Sequence, residues 1–187
     1  MSDQDESEAV VASERARGKQ ASEALPKLNP CGDIGLTIAH DGTWYYQGGA
    51  IARKALVKLF ASVLRLEDDG RYYLVTPVEK VPISVETMPF VAVEMNRAGQ
   101  GEGQNLTFRS NVDDLVTAGP EHPLGFARGA EDGFIPFVEL RGGLKARLAR
   151  PVYYELAALA AESAASKSPG VWSGGTFFPF PSAAGSD

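Results

Sequence analysis

Apolar and polar positions along the 187-residue chain fall into short alternating runs broken by Gly, Pro and Asp, with two stretches of helical period. Residues 35–40 alternate as a strand, and Asp41-Gly42 supplies the residues of a two-residue type I′ turn. That turn sets His40 opposite Thr43, Ala39 opposite Trp44 and Ile38 opposite Tyr45. Trp44 and Tyr46 would then share one face of the hairpin, with Leu36, Ile38 and Tyr45 on the other. Leu56, Leu59, Phe60 and Val63 follow at i, i+3, i+4 and i+7, the stripe of an amphipathic helix, while Lys54, Lys58, Ser62 and Arg65 fall on its water side. A second hairpin turns at Asp69-Gly70 into residues 72–75, and further strands are expected over 81–85, 90–95 and 105–109. Pro82 and Pro89 mark strand ends or edges. Residues 111–128, punctuated by Asp-Asp, Gly-Pro and His-Pro, read as a long structured loop.

The pattern then repeats. Residues 134–140 and 144–149 form a hairpin, Pro151 suits the first position of a helix, and Val152, Leu156, Leu159 and Ala160 form its apolar stripe. Leu148-Ala149-Arg150 repeats Ile51-Ala52-Arg53 at a distance of 97 residues, and each triplet follows a Gly-Gly pair, Gly142-Gly143 and Gly48-Gly49. The chain is expected to be α+β, with two similar halves made by internal duplication, each an antiparallel sheet with hairpins packed on one helix. The halves would span residues 25–88 and 89–187, behind an acidic, weakly ordered leader at 1–24. The last stretch carries Trp172, Phe177, Phe178 and Phe180, too apolar to stay free of the core, and is expected to dock.

Composition narrows the partners. With 44% hydrophobic and 22% charged residues the chain can build a core. The net charge is −6, of which the leader, with six acids and three bases, carries half. The remaining body has no basic field for a long nucleic acid, although a single small anion is compatible with it. Cys31 is the only cysteine, which excludes an intrachain disulfide and fits a reducing cytoplasm. The N-terminus lacks the pattern of a signal peptide, and no apolar run approaches the roughly 18–20 residues that span a bilayer.

The doubled arginine is the sharpest candidate chemistry. If Pro151 occupies the first helical position, Arg150 is the N-cap, and Arg53 takes the matching place in the first half. Arginine cannot cap free N–H groups and faces the positive end of the helix dipole, a penalty of about 0.3–1 kcal/mol. Either each arginine pairs with a local acid such as Asp33, Asp41 or Glu139, or the two helix starts hold an anion. Gly99-x-Gly-x-Gly lacks the lysine and helix of a phosphate loop and reads as a turn. His40 and His122 are far apart and without carboxylate spacing, so no metal site is expected, and His40 reads as a surface side chain. His122 near Asp113 and Asp114 is the one conceivable acid–base pair, and no catalytic constellation is evident.

The runs Cys31-Gly-Asp-Ile-Gly, Asp41-Gly-Thr-Trp-Tyr-Tyr and Arg53-Lys-Ala-Leu-Val-Lys-Leu-Phe resemble the bacterial "domain of unknown function 1285" family. Glu67-Asp-Asp-Gly-Arg-Tyr-Tyr-Leu-Val-Thr-Pro-Val-Glu-Lys, Asn111-Val-Asp-Asp and Gly170-Val-Trp-Ser-Gly-Gly-Thr-Phe-Phe-Pro are similar to it as well, so the resemblance spans residues 25–181. It implies a two-domain α+β fold whose C-terminal half is loosely pleckstrin-homology-like, no established activity, and a ligand site at the domain interface for a nucleotide-like molecule in signalling. The expected function is therefore a cytoplasmic ligand-binding or sensory protein, not an enzyme, without cofactor or membrane insertion. Arg53 and Arg150 would supply charge, Trp44 and Tyr45 stacking, and Arg109, Asn111, Asp113 and His122 polar contacts. The alternative is a protein-interaction module with no small ligand, using exposed sheet edges or the aromatic tail.

Overall fold

The computed structural model describes residues 32–129, 133–162 and 169–181; the leader at 1–24 lies outside the described residues. The first half runs β1 (Leu36–Ile38), β2 (Trp44–Tyr46), β3 (Gly49–Ala50), α1 (Lys54–Val63), β4 (Leu64–Leu66), β5 (Tyr72–Val75) and β6 (Lys80–Val85). The second runs β7 (Phe90–Ala98), β8 (Asn105–Ser110), β9 (Leu115–Thr117), β10 (Leu124–Arg128), β11 (Phe134–Arg141), β12 (Leu144–Leu148) and α2 (Arg150–Glu162), then the hairpin β13 (Gly170–Ser173) and β14 (Thr176–Pro179). The stretch expected to be one long loop over 111–128 thus holds two strands.

The first hairpin differs from expectation by one residue of register. Ile38 pairs with Trp44, Thr37 with Tyr45 and Leu36 with Tyr46. The reason is the turn: Ala39 N–H bonds the Thr43 carbonyl, Gly42 N–H bonds the Ala39 carbonyl, and Gly42 alone has positive φ. This is a three-residue loop ending in a left-handed glycine, fixed by Asp41 Oδ1 accepting the Thr43 N–H at 2.8 Å. Because a one-residue slip exchanges the faces, Ile38 and Trp44 point the same way, into the core. Asp69-Gly70 repeats the geometry: Glu67 N–H bonds Arg71 O, Gly70 N–H bonds Glu67 O, and Asp69 Oδ1 accepts the Arg71 N–H. The pairs with both residues at positive φ, as type I′ requires, are Gln47-Gly48, Gly142-Gly143 and Gly174-Gly175.

The first helix keeps Phe60 and Val63 of the expected stripe on its buried side, but that side is displaced toward Ala61. Its buried side is Ala61 with the partly buried Val57, Phe60 and Val63, whereas Leu59, expected in the stripe, is 60% exposed. Val152, Leu156 and Ala160 of α2 are buried as the pattern predicts.

The strands form two similar six-stranded sheets, ordered β3-β2-β1-β6-β5-β4 and β10-β11-β12-β7-β8-β9. In each, three strands step outward from the centre, the chain crosses to the far edge, and three step back to end beside the first. The two central strands therefore run parallel, β1 with β6 and β7 with β12, so the sheets are mixed rather than antiparallel as expected. The helices, however, occupy different places on this path. The first follows the third strand of its sheet and the second follows the sixth, so the 97-residue offset does not align equivalent elements.

The C-terminal hairpin docks on the second half. Ser173, fully buried, accepts the Leu106 N–H at 2.9 Å and donates to Ala118 O at 2.7 Å. Val171 and Phe178 join the core, Gln104 donates to Trp172 O, and Phe180 meets Phe126 edge to face at 5.2 Å.

Candidate functional site

The halves meet along a polar seam. The first contributes the β1–β2 turn and α1; the second contributes residues 109–114 and the strands β11 and β12. Arg147 Nε donates to His40 O at 2.7 Å, and Asn111 Nδ2 donates to Gly42 O at 3.3 Å while its Oδ1 accepts the Val91 N–H. Asp113 is the hub. It sits in the left-handed region at φ 67°, which a short polar side chain tolerates, at a turn closed by its own N–H on Ser110 O. Its carboxylate receives Lys58 at 2.6 Å, Lys54 at 3.1 Å and Arg109 at 3.1 Å. Lys58 and Lys54 hold that carboxyl well below the usual carboxylate range. Arg109 also places Nε and Nη2 on Glu94 Oε2, at 2.7 and 2.5 Å, which lowers the Glu94 carboxyl too.

Arg141 is the second clasp. Nη1 donates to Asp114 Oδ2 at 2.6 Å, Nη2 donates across the seam to Ala61 O at 2.9 Å, and the guanidinium lies 5.7 Å over the Phe90 ring. Among the described residues two hydrogen bonds engage Arg141, which leaves three of its five donors for other partners. Between α1 and this arginine opens a cleft of about 310 Å³ lined by Lys58, Ala61, Ser62, Val112, Asp114 and Arg141. Lys58 and Arg141 keep 43% and 39% of their side-chain surface exposed, so cations from both halves face it. Neither residue stood out in the sequence. The only local signal for Arg141 is its place before the Gly142-Gly143 turn.

Of the residues expected to bind a ligand, the seam collects Arg109, Asn111 and Asp113: Arg109 pairs with Asp113, Asp113 reaches the lysines of α1, and Asn111 bonds Gly42 O and the Val91 N–H. Trp44 is 1% exposed and stacks on Phe60 with centroids 6.0 Å apart, so it presents no ring to a ligand. Tyr45 lies on the opposite face of its strand, partly buried. Arg53 is the N-cap of α1, its carbonyl accepting the Val57 N–H. In α2 the corresponding carbonyl is that of Ala149, which accepts the Tyr153 N–H; Arg150 is one place inside and the two arginines are not equivalent. Among the described residues neither has an ion pair. Asp33, Asp41 and Glu139, their expected partners, accept backbone N–H groups of Gly35, Thr43 and Gly143 instead. His122 closes a turn with Gly119 and sets Nδ1 3.2 Å from Glu139 O, in contact with neither Asp113 nor Asp114. His40 is exposed and its Nδ1 lies 2.9 Å from Thr87 Oγ1. Among the described residues no group of three His, Cys, Asp or Glu side chains is placed to hold a metal, and no helix is long and apolar enough to cross a membrane.

Comparison with known proteins identifies the chain by family. The model described as "Domain of unknown function (DUF1285), N-terminal domain" matches residues 26–88, and "Protein of unknown function (DUF1285), C-terminal domain" matches residues 89–180. A DUF1285 family protein from Silicibacter pomeroyi DSS-3 has 43% sequence identity and a TM-score of 0.76, over 93% of this chain and 95% of that one. Another from Shewanella baltica OS155 has 30% identity and a TM-score of 0.51, over 65% of this chain and 89% of that one. The comparison with curated proteins finds no match. With both family models covering most of its length, the chain belongs to the uncharacterised DUF1285 family.

Proposed function

We propose that this protein binds a small anion in the cleft between its halves and acts as a ligand-binding, sensory-type module rather than an enzyme. The observation that carries it is the pairing of Lys58 and Arg141, one from each half, around a 310 Å³ cleft at the seam. Arg141 also clasps α1 through Ala61 O, so an anion on its free donors acts on the contact that joins the halves. The lining contains no aromatic side chain, which favours a phosphate or carboxylate group over the base of a nucleotide. A cytoplasmic setting is supported by the single cysteine. The shared strand path of the two sheets supports their origin by duplication, with the helix relocated.

Native mass spectrometry of the protein purified from its host tests the reading. A retained anion of defined mass, absent from the Arg141→Gln protein, is the expected result; a bare polypeptide mass for the parent counts against it. A protein-interaction role is favoured by Leu59 and Leu115, which are 60% and 65% exposed on α1 and β9. The aromatic tail gives that role little support, because Val171 and Phe178 lie in the core and Phe180 packs against it.

A further inference from the structure

A second cavity, of about 450 Å³, lies in the first half and shares no residue with the seam cleft. Among the described residues it forms where β6 loses its neighbour. β1 runs beside β6 only at Ser84 and Val85, so the earlier part of β6 borders a groove on that side. Tyr72, Ile83 and Val85 line it with apolar surface, Ser84 brings a hydroxyl, and Asp33 and Arg71 bring one charge of each sign.

Proline decides what kind of occupant fits. Pro82 pairs with Tyr73 of β5 and cannot donate to it, so the bonded pairs with β5 are Val81–Leu74 and Ile83–Tyr72. Alternation then turns the backbone of Lys80, Pro82 and Ser84 toward the β1 side, in agreement with Glu86 N–H bonding Ile38 O there. Pro82 thus offers a carbonyl to the groove and no N–H, which blocks the ladder an added strand needs. The volume of about 450 Å³ is in the range of small-molecule sites and suits a small molecule rather than a strand.

Charge selects its class. Among the described residues neither Asp33 nor Arg71 is in an ion pair, and the Asp33 carboxylate spends only one oxygen on the Gly35 N–H. A simple anion would meet Arg71 but also Asp33, and a simple cation the reverse. We propose that the groove binds a zwitterion, an α-amino acid or short peptide, with its carboxylate on Arg71 and Ser84, its ammonium on Asp33 and the Pro82 carbonyl, and an aliphatic side chain against Tyr72 and Ile83.

Titration calorimetry of the full chain tests this with leucine, glycyl-leucine, N-acetyl-leucine and leucinamide. Leucine or glycyl-leucine binds, and whichever is tighter identifies a free amino acid or a peptide as the source. Each singly blocked leucine binds about tenfold more weakly or worse, the loss of one charge-assisted contact. Arg71→Gln and Asp33→Asn weaken leucine or glycyl-leucine to a similar degree while leaving the melting temperature of the free protein unchanged; asparagine keeps the acceptor for Gly35. Blocked ligands that bind as well as free ones, variants that bind like the parent, or no binding by any of the four would overturn the proposal.

Discussion

At Trp44 a single residue of register decides between a ligand platform and a core. The aromatic run Trp44-Tyr45-Tyr46 is compatible with either, and alternation alone does not say which face is covered. Asp41 settles it by accepting the Thr43 N–H, which lengthens the turn and swings the indole against Phe60. Its Nε1–H is buried and has no partner among the described residues, in keeping with a residue used for its ring and not for its donor. At Asp113 the balance is electrostatic. The folded carboxyl titrates below its ordinary value of 3.8 because Lys58, then Lys54, favour the charged form. A lowered folded pKa means that stability gained from the carboxylate is fully present above the ordinary value and is lost as acid titrates the group below it. Asp113→Asn should therefore unfold at lower urea than the parent at pH 7, with the difference narrowing as the pH falls below 3.8. A difference constant from neutral pH into that range would mean that the aspartate is held by something other than its charge.

Elements were legible where periodicity was long and turns were short. The α2 stripe is present because Val152, Leu156 and Ala160 are spaced for one face. The α1 stripe keeps Phe60 and Val63 but is displaced toward Val57 and Ala61, because these match the helical period beside Phe60 as well as Leu56 and Leu59 do, and only the tertiary partner, the Trp44 ring, distinguishes them. The Asp41-Gly42 turn is one residue longer than the expected type I′ turn, and the Asp69-Gly70 turn, placed where expected, shares its geometry for one physical reason, the aspartate side chain bonding the backbone two residues on. Strands β9 and β10 were hidden by the Asp, Gly and Pro that flank them. The tail was foreseen from its apolar content, yet its anchor, Ser173, carried no signal. Ser173→Ala removes the hydroxyl that satisfies both Leu106 N–H and Ala118 O, leaving two buried backbone groups unpaired. A loss of about 1–3 kcal/mol in denaturant unfolding is expected, and a loss below about 0.5 kcal/mol would mean that the hairpin is held by its apolar residues alone.

Across the whole molecule, the two sheets share a strand path while their helices do not share a position. A sequence comparison that pairs helix with helix therefore aligns the wrong elements. The repeated arginine at the helix starts was the loudest signal in the chain, and it marks two different positions, neither at the seam network. The residues that matter at the seam, Lys58 and Arg141, are ordinary surface charges until tertiary contact sets them around one cleft. That cleft is the centre of the functional account. Thermal melting of the full chain in phosphate against chloride at matched ionic strength tests it most directly, with Lys58→Gln and Arg141→Gln run alongside to separate binding from the general stabilisation that phosphate gives. The account predicts a saturable rise in melting temperature for the parent, beyond any rise in the two variants. An equal rise in parent and variants, or none in the parent, would contradict it.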